Sequence, residues 1–153
     1  IRSIITRISG KRRFPRVNMK LIICLDDKNG MMFFGKRQSQ DSVLRNWIIE
    51  KSKNSKLFMS SYSAKQFDDF TSYIVDDNYM LTASAGDYCF VEDKDYCLDN
   101  VSEIILCKWN RRYPADKFFD IDLKSNEFKK INSLDINGSS HDKITIETYR
   151  RSK

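Results

Sequence analysis

A chain of 153 residues, 41% hydrophobic and 31% charged, fits one globular domain that can bury a real core. Its longest apolar run, Leu21–Leu25, is strand-sized and far short of the ~18 residues that would suggest a membrane span. The net charge of +6 sits at one end: residues 1–18 hold six basic side chains (Arg2, Arg7, Lys11, Arg12, Arg13, Arg16) and no acid, so 27 basic residues less these six leave 21 against 21 acidic ones.

The remaining body is therefore neutral. Affinity for nucleic acid is expected only from the basic extension, and no membrane partner is expected. The extension is Arg-rich and acid-free, a composition that overlaps with transit peptides. Met19, immediately before the first strand, is the expected natural start. This divides the chain into a basic extension, 1–18, and one domain, 19–153.

Met19–Asp26 reads as a buried strand, and Asp27-Lys28-Asn29-Gly30 as a turn. Met31–Phe34 is a short apolar segment and Gly35–Gln40 a polar loop. A helix is expected from about Gln40 to Lys53, capped by Ser39 or Asp41, with Leu44, Trp47 and Ile48 facing the core. Lys56–Ser60 is a second strand and Ser61–Phe70 a short helix. Tyr73–Asp76 and Tyr79–Thr82 are weaker strands, and Gly86–Glu92 a stronger one. A turn or short helix at Asp95–Asn100 leads into the buried strand Glu103–Trp109, which Tyr113-Pro114 brings to a stop. Phe128–Leu134 and Lys143–Tyr149 flank Asn137-Gly138 as a terminal antiparallel hairpin.

Strands alternating with helices predict an α/β fold with a mostly parallel central sheet, flanking helices and a C-terminal hairpin. In such sheets ligands bind beyond the C-terminal strand ends, here Asp26–Gly30, Ser60–Ser63 and Glu92-Asp93. Cysteines 24, 89, 97 and 107 contain no Cys-x-x-Cys pair, and one histidine cannot complete a zinc cage. They read as reduced, mostly buried thiols of a cytoplasmic, bacterial protein.

These segments, in order, resemble dihydrofolate reductase. Met19–Met31 (MKLIICLDDKNGM) is similar to that family's first strand and the start of its active-site loop. Asp41, near the start of the first helix, falls where the family keeps its substrate-binding carboxylate. Leu57–Ser63 (LFMSSYS) resembles the strand and turn bearing its Gly-Arg phosphate-binding step. Glu103–Leu123, Phe128–Leu134 and Ile144–Arg151 resemble its last strands, including the Asp-x-Phe-Phe crossing and the closing Tyr-Arg-Arg. The resemblance covers about 130 residues. It implies a nucleotide or pteridine-like ligand and NADPH as cofactor. The sequence departs from the family at the cofactor end. Glu92-Asp93 replaces a Gly-Gly pair and would repel a pyrophosphate, Ser60-Ser61 replaces the Gly-Arg step, and no Trp lies near Gly30–Arg37. Lys36–Asp41, Gly86–Glu92, Trp109–Asp116 and Gly138–His141 also resemble stretches of small clostridial proteins, some of them named ribonuclease Z. The zinc motif of that enzyme is His-rich, and this chain has a single histidine.

The candidate catalytic residues are Asp41, whose pKa is expected to rise in a semi-enclosed cleft, and Glu92. The candidate ligand-binding residues are Arg37, Ser39, Ser60, Tyr62, Ser63, Asp93 and Arg111. Asp41 also suits a plain helix cap, and the hydroxyls suit loops that satisfy their own backbone. Asp26 and Asp27 facing Glu92 and Asp93 would suit a divalent cation. Trp109 reads as core with Arg111 and Arg112 on a solvated edge, and His141 as an exposed hairpin residue without a nucleophile partner. Three functions stay open: a reductase-like ligand binder with a degenerate cofactor site, a non-catalytic interaction module, and a metal-assisted ribonuclease-type phosphodiesterase.

Overall fold

The computed structural model describes residues 18–67 and 72–152. All but Asn18 of the basic extension lies outside them, as do residues 68–70 of the helix expected from Ser61. The elements are β1 (Met19–Leu25), β2 (Gly30–Phe33), β3 (Lys36–Arg37), α1 (Ser42–Lys51), β4 (Leu57–Met59), α2 (Ser61–Ala64) with a 3-10 turn at Lys65–Phe67, β5 (Ile74–Val75), α3 (Tyr79–Thr82), β6 (Tyr88–Phe90), β7 (Val101–Lys108), β8 (Lys117–Phe118), β9 (Phe128–Ile136) and β10 (Ile144–Arg151).

Seven strands form the main sheet in the order β5-β4-β6-β1-β7-β10-β9. Pairs from β5 through β7 are parallel, and β10 runs antiparallel to both β7 and β9. β1 lies centrally and is buried on both faces, which is why its sequence is a continuous apolar run. Leu21, Ile23 and Leu25 pack into one core cluster with Phe58, Cys89, Ile104 and Leu106. Ile22 points the other way, to Leu44 and Ile48 of α1, Met59, Ile105 and Trp109. Burying Leu44 and Ile48 stabilises the domain by roughly 1.5–3 kcal/mol each. A three-stranded antiparallel sheet, β3-β2-β8, sits beside the main one.

The architecture agrees with the α/β expectation, and three local readings change. α1 is shorter than Gln40–Lys53, with Asp41, one of the two expected caps, at its start and Ser52 at its end; Trp47 on its stripe is only half-buried. Lys36–Arg37 is not loop but pairs with Met32 and Phe33. Tyr79–Thr82 is a helical turn, not a strand. It lies on the crossover between the parallel strands β5 and β6, where an extended segment finds no partner, and one turn suffices to bury Tyr79. Of the two alternatives expected for Asp95–Asn100, the structure has the turn, at Asp99-Asn100, and no helix.

The hairpin is longer than expected. β9 is an edge strand exposed along most of its length, with Lys129 and Lys130 on it. Charged side chains on an edge discourage further strand pairing. All four cysteines are free, with Cys97 exposed. Among the described residues no helix is long and apolar enough to cross a membrane.

Candidate functional site

Two polar clusters and one groove lie beyond the C-terminal ends of the parallel strands. The first cluster gathers Arg37, Ser60, Tyr62, Ser63, Glu92 and Asp93, six of the residues singled out from the sequence. Arg37 donates from Nε and Nη2 to the two oxygens of Glu92, each at 3.0 Å. The guanidinium lies over the Tyr62 ring, 4.4 Å from its centre, and the Tyr62 hydroxyl accepts from Arg37 N–H at 2.8 Å. Ser63 Oγ (2.8 Å) and Gln66 Nε2 (3.0 Å) also donate to Glu92. Ser60 caps α2 by accepting from Ser63 N–H, and its hydroxyl donates to Asp93 at 2.7 Å. Burial opposes the charge on Arg37, but the adjoining Glu92 carboxylate outweighs it and holds the guanidinium protonated.

A third carboxylate closes this end. Asp77, just beyond β5, accepts from Ser61 N–H at 2.8 Å and from the Ser61 hydroxyl at 3.1 Å. That N–H donation holds the Asp77 carboxyl below the usual range. Backbone donors at the start of α2 are thus engaged by the chain's own groups.

The second cluster centres on Asp41, which is 2% exposed. Its Oδ1 accepts from Val43 N–H (2.9 Å), Leu44 N–H (3.3 Å) and Ser139 N–H (3.0 Å). Its Oδ2 accepts from Ser140 N–H (2.8 Å) and the Ser140 hydroxyl (3.1 Å), and lies 3.0 Å from His141 Nδ1. Burial pushes the carboxyl up, but the donors from Ser139, His141, Ser140 and Leu44 together hold it well below the usual carboxylate range. This corrects the expected rise: a cleft-lining acid loses solvent, whereas this one exchanges solvent for fixed N–H donors. Gly138 permits the close approach, since a Cβ there would stand 2.5 Å from Asp41 Oδ2.

His141 also departs from expectation. It is 4% exposed, not on the surface. Trp109, which is core as expected, stacks on its ring with centroids 4.5 Å apart and planes 23° apart. Its Nε2 is 3.1 Å from Ser39 Oγ and 3.0 Å from the Tyr113 hydroxyl. Asp41 is an acceptor at Nδ1, so in the neutral ring the proton belongs on Nδ1 and Nε2 accepts.

Asp26 joins neither cluster. Its oxygens accept from Lys28 N–H (2.9 Å), Gly30 N–H (2.7 Å), Gln38 Nε2 (3.2 Å) and Tyr113 N–H (3.0 Å). Burial opposes this anion, but the N–H groups of Gly30, Tyr113 and Lys28 keep its carboxyl low. Beside it opens a groove of about 420 Å³ lined by Asp26, Lys28, Arg112, Tyr113, Pro114, Ala115 and Phe118. Arg111 is exposed and meets neither cluster through the bonds described; its carbonyl accepts from Asp27 N–H at 2.8 Å. The four acids Asp26, Asp27, Glu92 and Asp93 do not converge as a cation site requires: among the described residues, no three His, Cys, Asp or Glu side chains are placed to hold a metal.

Sequence reasoning missed Asp77, Gln38, Tyr113 and the role of Ser139-Ser140-His141. Only the last carried a signal: a Gly-Ser-Ser run beside the chain's one histidine suits a loop that turns its N–H groups onto an anion.

No protein-family model matches the chain, and no curated protein matches it significantly. Among solved structures, a dihydrofolate reductase from Enterococcus faecalis, complexed with NADP(H) and RAB-propyl, superposes with a TM-score of 0.64. The match covers 89% of this chain and 97% of that one, at 12% identity. The fold is that of dihydrofolate reductase. The expected reductase-like sheet and closing hairpin are therefore present, at an identity that leaves the side chains free to differ. In this reductase fold the strand-end positions carry the Arg37–Glu92 pair, Ser60 and Asp93, not glycines.

Proposed function

We propose that the chain is a small-molecule-binding protein on the dihydrofolate reductase fold. Its ligand is compact and aromatic and carries a phosphate or carboxylate, as a mononucleotide or a pteridine with an acidic tail does. The groove beside Asp26 carries this reading. Its volume of about 420 Å³ suits one such molecule. Lys28 and Arg112 supply positive charge for the acidic group, and Tyr113 and Phe118 supply aromatic surface for the ring. The thiols are free, in keeping with action in the cytoplasm.

NADPH does not fit these residues in the manner the fold suggests. A pyrophosphate at the start of α2 would meet Asp77 on Ser61 N–H and Asp93 on the Ser60 hydroxyl. Both are carboxylates, so they repel what that position would have to hold. The residues at this end therefore support no reductase step.

The test is a titration of the full chain with a mononucleotide series, folate and NADPH, followed by melting temperature and Trp fluorescence. A saturable shift with a mononucleotide or folate is expected, weakened at least several-fold in Arg112→Ala. NADPH should bind no more tightly than its mononucleotide halves. No response to any mononucleotide or to folate would reject the groove reading, and tight NADPH binding with reduction of dihydrofolate would replace it with a reductase.

A further inference from the structure

Ser39 Oγ lies 3.1 Å from His141 Nε2, and the opposite ring nitrogen lies 3.0 Å from Asp41 Oδ2. A hydroxyl on one imidazole nitrogen and a buried carboxylate on the other is the arrangement that activates an oxygen nucleophile. Two members are held from outside the trio. Four backbone N–H groups fix Asp41, and Trp109 stacks on the imidazole and fixes its plane. Turning the ring over would break the contacts at both nitrogens. Ser39 itself is only half-buried, whereas Asp41 and His141 are enclosed. The exposed end of the relay is thus the hydroxyl, as attack on an outside molecule requires.

We propose that Ser39 is a nucleophile, that His141 is its general base and Asp41 the positioning carboxylate, and that this trio cleaves small esters by acyl transfer. Ser39 Oγ forms a bond to the acyl carbon as its proton passes to His141 Nε2. The imidazolium, paired with Asp41, gives that proton to the departing alcohol oxygen as the ester C–O bond breaks. Water then attacks the acyl-serine as it passes a proton to Nε2, and the imidazolium returns that proton to Ser39 Oγ as the acyl C–Oγ bond breaks, releasing the acid and the free hydroxyl. No oxidant, reductant or metal enters the balance.

Tyr113 shares the same nitrogen at 3.0 Å and lines the groove. The trio therefore adjoins the groove wall, and esters bearing a phosphate or carboxylate are the substrate class that Lys28 and Arg112 would seat. That choice of substrate rests on the groove reading. The nucleophile does not, so a neutral ester tests it alone.

The experiment treats the full chain with a fluorophosphonate, locates the adduct by peptide mass spectrometry, and follows hydrolysis of p-nitrophenyl acetate. A single adduct on Ser39 is expected, lost with ester turnover in Ser39→Ala. His141→Gln should slow both by about 10²- to 10⁴-fold, the range for a lost general base. If His141→Gln does not fold, Ser39→Cys replaces it: its new thiol should react with iodoacetamide at about pH 6 faster than exposed Cys97 does. An unlabelled Ser39, an adduct on Tyr113 instead, or a Ser39→Cys thiol with an ordinary pH profile would each overturn the proposal.

Discussion

The two polar clusters solve one problem in different ways. Both hold a buried carboxylate beyond the ends of parallel strands. Glu92 is neutralised by an opposite charge, Arg37, from a different sheet. Asp41 is satisfied by neutral donors, four of them backbone N–H groups, together with one imidazole. The guanidinium is a long side chain held by its partner and by the Tyr62 ring, so that contact depends on both ends staying charged. The Asp41 donors come from the helix start and from the hairpin loop, so that the carboxylate ties the loop to the helix. The first cluster is a lock between two sheets. The second is an anion site that its own chain has filled.

That difference is broken most severely at Asp41. Asp41→Ala removes a helix cap, costing about 1–2 kcal/mol. It also leaves buried donors of Ser139 and Ser140 unpaired, at about 1–3 kcal/mol for such a group. A loss of about 4 kcal/mol is expected in urea unfolding, and the 138–142 segment should lose amide-exchange protection in the same variant. A loss under about 1 kcal/mol would mean that the loop is held by something other than this carboxylate.

The charge pair is expected to behave differently. Arg37→Met strands the Glu92 carboxylate and Glu92→Leu strands the guanidinium, each costing about 3 kcal/mol because a buried charge is left uncompensated. The double variant should recover much of this, since two apolar side chains of similar size carry no desolvation cost. A double-mutant cycle measures the coupling directly. Strictly additive losses would show that the two groups are solvated separately and that no lock exists.

Which parts could be read in advance follows from the range of the forces involved. β1 and β7 were legible because burial on both faces leaves no choice but a run of apolar residues. The cap was legible as Ser39 or Asp41, since a cap is decided within three residues of itself, and the fold takes Asp41. The burial of His141 was not, because the carboxylate and ring that create it are 100 positions apart in the chain. The partner of Arg37 was hidden for the same reason, at 55 positions, although both ends were picked out separately. Tyr79–Thr82 went wrong in the opposite direction. Its local composition suits a strand, and only the parallel arrangement of β5 and β6 makes it a crossover. The departure of Glu92-Asp93 from two glycines was visible at once, yet that Glu92 is matched to Arg37 emerges only from the fold.

The smallest effect sharpens the comparison through pH. The Asp41 carboxyl is held below its unfolded value of about 3.9, so its contribution is present in full above about pH 4. As pH falls below that, the unfolded chain takes up a proton before the folded one does, and the contribution is lost progressively toward the lower folded value. One group can contribute a slope of no more than about 1.4 kcal/mol per pH unit. Asp26 and Glu147 are shifted in the same direction, so part of the acid slope will survive any change at Asp41. Asp41→Asn is therefore expected to be less stable than the wild type at neutral pH, and to lose stability less steeply between about pH 4 and pH 2. The two curves should converge at the acid end. Curves that stay parallel throughout would mean that the N–H donors of the 139–141 loop bind the amide as well as the anion, and that Asp41 acts there through shape alone.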